Sequence, residues 1–356
     1  MAKVKAVLIG GTGYGGAELL RRLLFHPQVE VVRVTAADNI GKKLGDVHFN
    51  LAGLSDLTFQ QLSPPEAVAG ADVVFLAMPH KVTAKVVMEL LPTGVRIVDL
   101  SGDFRLRDPA LYQQYYGVPH PSPSSLTEGG FVYGMPELNR EAIRGARYLA
   151  SPGCFATAIA LGLLPLARAK KLTGPIQTVA ATGSSGSGAN PSLGTHHPLR
   201  AVNLRTYKPL EHQHVPEILQ TLVQAGGREL ALEFVPVSAP LPRGIFATSF
   251  VTVAASTTLA ELEALWQTTF ANEPFIRIVT GGRQPEVVAV AGGNYVEVGY
   301  ALGPVTGPTG GETRRVVCFS ALDNLVKGGA GQAIQAFNVM MGFDETLTLK
   351  EPGLWP

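Results

Sequence analysis

The stretch VLIGGTGYGGAELLRRLL, residues 7–24, joins an apolar, β-branched run to a glycine-rich turn and then to an amphipathic helical pattern. Gly10, Gly13 and Gly16 stand at G-x-x-G-x-x-G spacing between the two. Backbone without side chains can approach a pyrophosphate there and seat it at the positive end of the helix. A tight turn without a nucleotide has the same glycines; the strand–turn–helix context favours the dinucleotide. Outward from this stretch come KAVLIG, a helix from about Tyr14 to Phe25, VEVVRVTA, ADVVFLAM, a helix near Val82–Leu91 and RIVDLS. That alternation predicts a Rossmann-type doubly wound parallel sheet, an α/β domain over residues 1–153. The second strand runs into TAADNIGKK, where Asp38 comes slightly late for the ribose hydroxyl of NAD and Lys42 and Lys43 suit a 2′-phosphate, so the reading leans to NADP.

From about residue 176 the pattern changes. IQTVAAT, ALEFVPVSAP, GIFATSFVTVAA, NYVEVGYALG and RRVVCFSALD predict an α+β domain over 154–326, built on a mostly antiparallel sheet with helices near 211–225 and 258–272 on one face. The last helix, within 327–356, is expected to pack back on the first domain. TGSSGSGANPSLGTHHP, residues 182–198, is the one composition break and reads as a functional loop. Two domains also fit the length of 356 residues, more than a single core usually serves.

Composition narrows the chemistry. With 46% hydrophobic and 16% charged residues and a net charge of +1, the chain has no field to attract nucleic acid or a membrane surface. Its two cysteines stand far apart and make no disulfide framework. The apolar run in MAKVKAVLIGG is too short for a signal peptide or a span, so a reducing cytoplasm is expected, where a free thiol survives.

One of the two cysteines stands in ASPGCFATAIALGLLPLA, residues 150–167, after Pro152-Gly153 and at the first position of an apolar helix. The free N–H groups and dipole of a first turn favour an anion, which lowers a thiol's pKa and makes Cys154 a candidate nucleophile. A small buried hydrophobe is the other reading, and it suits Cys318 in RRVVCFSALD. A thiol nucleophile needs a proton shuttle. LEHQHVPEI supplies His212 and His214, with Glu217 one turn on to orient an imidazole; spacing does not separate the two histidines. His196 and His197 raise a zinc reading, but no ligand set of the right spacing accompanies them and no metal is expected. In VDLSGDFRLRDPALYQQYYG, Ser101 and Arg105 follow a strand at the sheet edge where open α/β sheets bind ligands. Arginine beside a hydroxyl suits phosphate or carboxylate, with a salt bridge to Asp103 or Asp108 as the alternative. Together these groups specify attack of Cys154 on an activated acyl carbon, departure of the leaving group and hydride reduction of the thioester to an aldehyde.

The stretches GGTGYGGAELLRRL, LAMPHKVTAK, VDLSGDFRLRD, YGMPEL, SPGCFATA, HQHVPEI, ALDNLVKGGAGQAIQAFNVMMGFDET and the terminal PGLWP also carry a resemblance. Over almost its whole length the chain resembles the N-acetyl-γ-glutamyl-phosphate reductases of arginine biosynthesis, relatives of aspartate-semialdehyde and glyceraldehyde-3-phosphate dehydrogenases. The resemblance implies a semialdehyde dehydrogenase-like fold whose second domain is catalytic and dimerising, hence a homo-oligomer, dimer or tetramer. It implies an acyl phosphate as substrate, Cys154 as nucleophile, His214 as acid/base and Arg105 near the acyl phosphate. It further implies that Gly10, Thr12, Gly13, Tyr14, Gly15, Gly16, Ser185, Gly186 and Asn324 surround NADP. Two departures matter. Ser151 stands where the family usually has asparagine, and the usual SGVSGAGR gives way to TGSSGSGANPSLGTHHPLRAVNLRTYKP. The latter resembles the branch acting on aminoadipyl or glutamyl phosphate attached to the acidic carrier protein LysW. Arg200, Arg205 and Lys208 in that segment are the expected landing cations for such a partner, with the free N-acetyl substrate kept ahead.

Overall fold

In the computed structural model, residues 2–127, 130–306 and 312–355 are described; Pro356, the end of the PGLWP stretch, lies outside them. The chain divides into two units, Met1–Gly153 with Gly329–Glu351, and Cys154–Gly328 with Pro352–Pro356.

The first unit is built on strands β1 (Val4–Ile9), β2 (Val29–Thr35), β3 (Phe59–Gln60), β4 (Val73–Leu76), β5 (Arg96–Asp99), β6 (Val132–Tyr133) and β7 (Tyr148–Ala150). They pair in the order β3-β2-β1-β4-β5-β7-β6, every pair parallel, as the alternating pattern predicts. Both faces are covered, so β1 and β4 bury continuous apolar runs rather than alternating ones. The strand order reverses between β1 and β4, which places a switch point at the carboxyl end of β1, where the glycine turn begins. Gly10 leaves β1 at φ +88°, and a Cβ there would stand 2.6 Å from Ala77 O at the exit of β4. Gly16 lies in the helix Tyr14–Leu23 so close to the turn that a Cβ would stand 2.6 Å from Gly11 O. Gly10→Ala is therefore expected to cost about 2 kcal/mol of stability and to weaken dinucleotide binding, checked by thermal melting and a cofactor titration. The C-terminal helix Gly331–Met341 belongs to this unit, with Gln332 Nε2 donating to Gly134 O at 3.2 Å and Asn338 Oδ1 meeting His26 Nε2 at 2.9 Å.

The second unit holds β8 (Thr173–Thr182), β9 (Arg205–Thr206), β10 (Arg228–Ser238), β11 (Ile245–Ala254), β12 (Ile276–Ile278), β13 (Val296–Thr306) and β14 (Thr313–Leu322) in the order β12-β13-β14-β11-β8-β10-β9. The sheet is mixed. Four of its pairs are antiparallel as expected, but β8 with β10 and β12 with β13 run parallel. The first parallel pair arises because the connection from β8 to β10 is a long crossover carrying the helix Val215–Gln224. The helix Cys154–Arg168 packs on β11 and β14, buried from Phe155 to Ala167, as befits a helix apolar all round. The Gly/Ser-rich segment forms short turns, Ser184–Ser187, Leu193–Thr195 and His197–Arg200.

Candidate active site

In the second unit the cysteine helix starts at Cys154 itself, which is half-buried, whereas Cys318 is fully buried and its thiol is pushed up by that burial. Phe155, the next residue, is ringed by histidines: His212 stands edge-on at 5.3 Å between centroids and His214 at 6.1 Å. His214 is the N-cap of the helix Val215–Gln224, and Pro216 sits in its first turn, where a missing N–H costs nothing. His212 Nδ1 accepts the His214 backbone N–H at 3.1 Å, and the two rings lie 4.7 Å apart. Glu217 is buried in the first turn of the same helix. His196 and His197 are exposed, so the four histidines split into a buried pair and a surface pair. Among the described residues no group of three His, Cys, Asp or Glu is placed to hold a metal ion.

Two further residues of this unit were passed over by sequence reasoning. Gly328 passes so close that a Cβ on it would stand 2.8 Å from Cys154 Cβ. The double glycine of KGGAG was its only signal. Tyr207 packs edge-on to His212 at 5.9 Å, and its hydroxyl lies within electrostatic reach of Cys154.

Asn324 and the Ser184–Ser187 turn are brought together. Asn324 Nδ2 donates to Ser185 Oγ at 3.0 Å and its Oδ1 accepts from Gly244 N at 2.6 Å, while Ser185 N donates to Pro242 O at 3.0 Å. Gly186 is exposed at the tip of that turn. Beside it the segment departs from expectation. Arg205 and Lys208 are exposed, but Arg200 is buried at 9% exposure, its Nη2 donating to Thr182 O at 2.9 Å, and so is no landing cation.

In the first unit, Gly13 is the N-cap of the helix Tyr14–Leu23, without a side-chain cap and with no acid in the first turn. A Cβ on Gly13 or Gly15 would meet nothing within 4 Å. Open space beside bare first-turn N–H groups fits an anionic pyrophosphate. Tyr14 is exposed, and Thr12 Oγ1 donates to Asp38 Oδ1 at 2.6 Å, so the acid after β2 reaches the glycine turn. Lys42 donates to Asn39 Oδ1 at 2.9 Å and Lys43 pairs with Asp56 at 2.7 Å.

After β5, Asp99 is fully buried, and that burial pushes its carboxyl up to about 7 against the opposing bonds from Ser101. Ser101 donates to it through N–H and Oγ, both at 2.8 Å. Arg105 is buried too; its Nε donates to Ser151 O at 2.7 Å and its Nη2 to Leu100 O at 2.8 Å. Ser151 N donates to Asp99 O at 2.7 Å, so the strap that leads into Cys154 is held from both sides. Asp103 instead accepts from the N–H groups of Lys81 and Ala84 and from the Tyr112 hydroxyl, and Asp108 caps the helix Pro109–Tyr116. Both carboxylates therefore serve local backbone and side-chain donors.

Comparison with known proteins agrees with this layout. The semialdehyde dehydrogenase NAD binding domain matches residues 5–146, and the semialdehyde dehydrogenase dimerisation domain matches residues 154–324. The chain is 44% identical to a putative [LysW]-L-2-aminoadipate 6-phosphate reductase of Thermomicrobium roseum, over 99% of each chain. It is 42% identical to the N-acetyl-gamma-glutamyl-phosphate reductase of Desulforudis audaxviator, over 99% of this chain and 100% of that one. Aspartate semialdehyde dehydrogenase II of Vibrio cholerae shares the fold with a TM-score of 0.69 at 16% identity, covering 96% of this chain and 99% of that one.

Proposed function

The chain belongs to the N-acetyl-γ-glutamyl-phosphate reductase family of semialdehyde dehydrogenases, and from that membership we propose that it reduces N-acetyl-γ-glutamyl phosphate to N-acetylglutamate 5-semialdehyde and phosphate with NADPH. The observation that carries this reading is Cys154 at the head of a buried helix with His212 and His214 packed around its neighbour Phe155. The first-turn N–H groups favour the thiolate, which attacks the acyl carbon. As the carbon–oxygen bond to phosphate breaks, a thioester forms on Cys154. His214 takes the proton that the thiol gives up, lends a proton to the thioester oxygen as hydride arrives, and takes it back as the carbon–sulfur bond breaks to free the aldehyde and the Cys154 thiolate, with Glu217 orienting its ring. In the first unit the glycine turn, and in the second Ser185, Gly186 and Asn324, are the residues that would hold NADPH, whose chemistry when bound would be to supply a hydride. In the first unit Ser101 and Arg105 are the residues we assign to phosphate; Arg105 also donates to the Ser151 carbonyl and so holds the strap that leads into Cys154. The match to a dimerisation domain supports a homo-oligomer. Among the described residues no helix is long and apolar enough to cross a membrane, and the setting we propose is the cytoplasm.

A second reading, a carrier-linked aminoadipyl or glutamyl phosphate, is favoured by the 44% identical relative and by the surface of the 189–210 segment. There Leu193, Val202, Leu204 and Leu210 are exposed alongside Arg205 and Lys208, a mixed apolar and basic face suited to an acidic protein. Assays of NADPH oxidation with both substrates test the two readings. If the carrier-linked compound is the substrate, Arg205→Ala with Lys208→Ala raises its KM about 10-fold and flattens the salt dependence of kcat/KM. Turnover of the free N-acetyl compound hardly responds. Equal loss on both would remove the carrier reading's support in the structure.

A further inference from the structure

Arg200 ends the short turn His197–Arg200 with its side chain buried against the end of β8. Among the described residues no carboxylate pairs with it, and its Nε has no acceptor. A guanidinium withdrawn from water without a counter-ion is unfavourable, and an arriving anion relieves it. Arg205 adds a second positive charge to this neighbourhood, after burial the main influence opposing the Arg200 charge. Thr182, whose carbonyl holds Arg200, pairs with Ser238 of β10, and Ser238 pairs with Arg205 of β9, two residues before Tyr207, whose hydroxyl favours the Arg200 charge. Burial first, and then the Cys154 sulfur, raises the Tyr207 hydroxyl above its usual range, so it stays protonated and donates.

The geometry points to Arg200 Nε and the Tyr207 hydroxyl as a paired donor subsite for the α-carboxylate of the acyl substrate whose carbonyl carbon Cys154 attacks. The assignment rests on the acyl-phosphate reading above and adds the group by which the substrate is held. Two donors match the two oxygens of a carboxylate, and its single charge cancels one buried guanidinium. A phosphate dianion would leave a net negative charge in the same place, and it must leave after the attack, whereas Arg200 is enclosed. Free and carrier-linked glutamyl phosphates share this carboxylate, so the subsite serves either substrate.

The test compares Arg200→Gln with the unaltered enzyme on N-acetyl-γ-glutamyl phosphate and on 4-acetamidobutyryl phosphate, which lacks only the α-carboxylate. Cys154 alkylation by iodoacetate and by iodoacetamide is measured in parallel. Loss of a charge-assisted hydrogen bond predicts a KM about 10- to 100-fold higher for the first substrate, with little change for the second. The preference for iodoacetate over iodoacetamide falls about 10-fold, because the cation that draws the carboxylate is gone. Tyr207→Phe, which keeps the ring against His212, shifts the same two ratios less and in the same direction. Equal loss on both substrates, or an unchanged alkylation ratio in a variant with normal melting, overturns the assignment. If the unaltered enzyme turns over neither acyl phosphate, the reading with a free substrate fails, while the alkylation ratio still decides whether Arg200 attracts a carboxylate beside the thiol.

Discussion

Cys154→Ser is expected to lower reductase kcat by about 1,000-fold or more while leaving NADPH affinity unchanged. The reason lies in where the residue sits. Cys154 opens the helix Cys154–Arg168 in the second unit, and the glycine turn that fits the dinucleotide belongs to the first. Serine has nearly the same shape, and at a half-buried helix start it is at least as good a first-turn residue, so the fold should not suffer. What changes is the nucleophile: a hydroxyl stays protonated at neutral pH where a thiol at a helix N-terminus gives up its proton. NADPH oxidation with acyl phosphate, a fluorescence titration of NADPH and a melting curve together check the claim. A residual rate above about a tenth of the original would rule out covalent catalysis at this position, because losing the nucleophile normally costs far more. Cys318 is the control. Its thiol is buried in the sheet strand β14 and raised by burial, so Cys318→Ser should leave kcat nearly unchanged.

The parts of this molecule legible from sequence are those where the backbone itself is constrained. Glycines at positions 10 and 16 have to be glycine because neighbouring backbone stands 2.6 Å from where a Cβ would be, and such spacing is written directly in the chain. Pro152-Gly153 ahead of an unbroken apolar run likewise fixed the helix start at Cys154. Long-range direction was less legible. The parallel pairing of β8 with β10 depends on how the crossover between them travels, and the alternation within each strand is the same for either direction. Charge was misleading at Arg200, which in a polar, glycine-rich loop reads as a surface cation, yet it is buried on a carbonyl. Arg105 reads as a phosphate contact, and its bonds to the carbonyls of Leu100 and Ser151 were not legible. In both cases the acceptor is a main-chain oxygen, which no side-chain pattern announces. Gly328 beside Cys154 was faint for a related reason: its role is to leave room, and the residue that needs the room lies far away in sequence.

His214→Asn is expected to lower kcat by about 100-fold or more, the usual cost of a lost general acid/base, while His212→Asn lowers it less than about 10-fold. Sequence spacing leaves the two histidines equivalent, and their surroundings differ. His212 Nδ1 accepts the backbone N–H of His214, so that ring nitrogen is engaged in setting the start of the helix Val215–Gln224. Its ring is also wedged among Phe155, Tyr207 and Phe234. That is the environment of a residue which positions another. Asparagine at 212 offers Oδ1 as an acceptor at a similar reach, so the bond to the His214 N–H is kept and the helix start survives. Asparagine at 214 keeps the N-cap, for which it is a favoured residue, but has no group that exchanges a proton near neutral pH. The pH profile gives the sharper distinction. In His214→Asn the limb of kcat/KM due to the acid/base disappears, whereas in His212→Asn it persists with at most a shifted midpoint. If instead His212→Asn removed the limb and His214→Asn retained it, the proton shuttle would belong to His212, and Glu217 would lose its part as the group that orients the working ring.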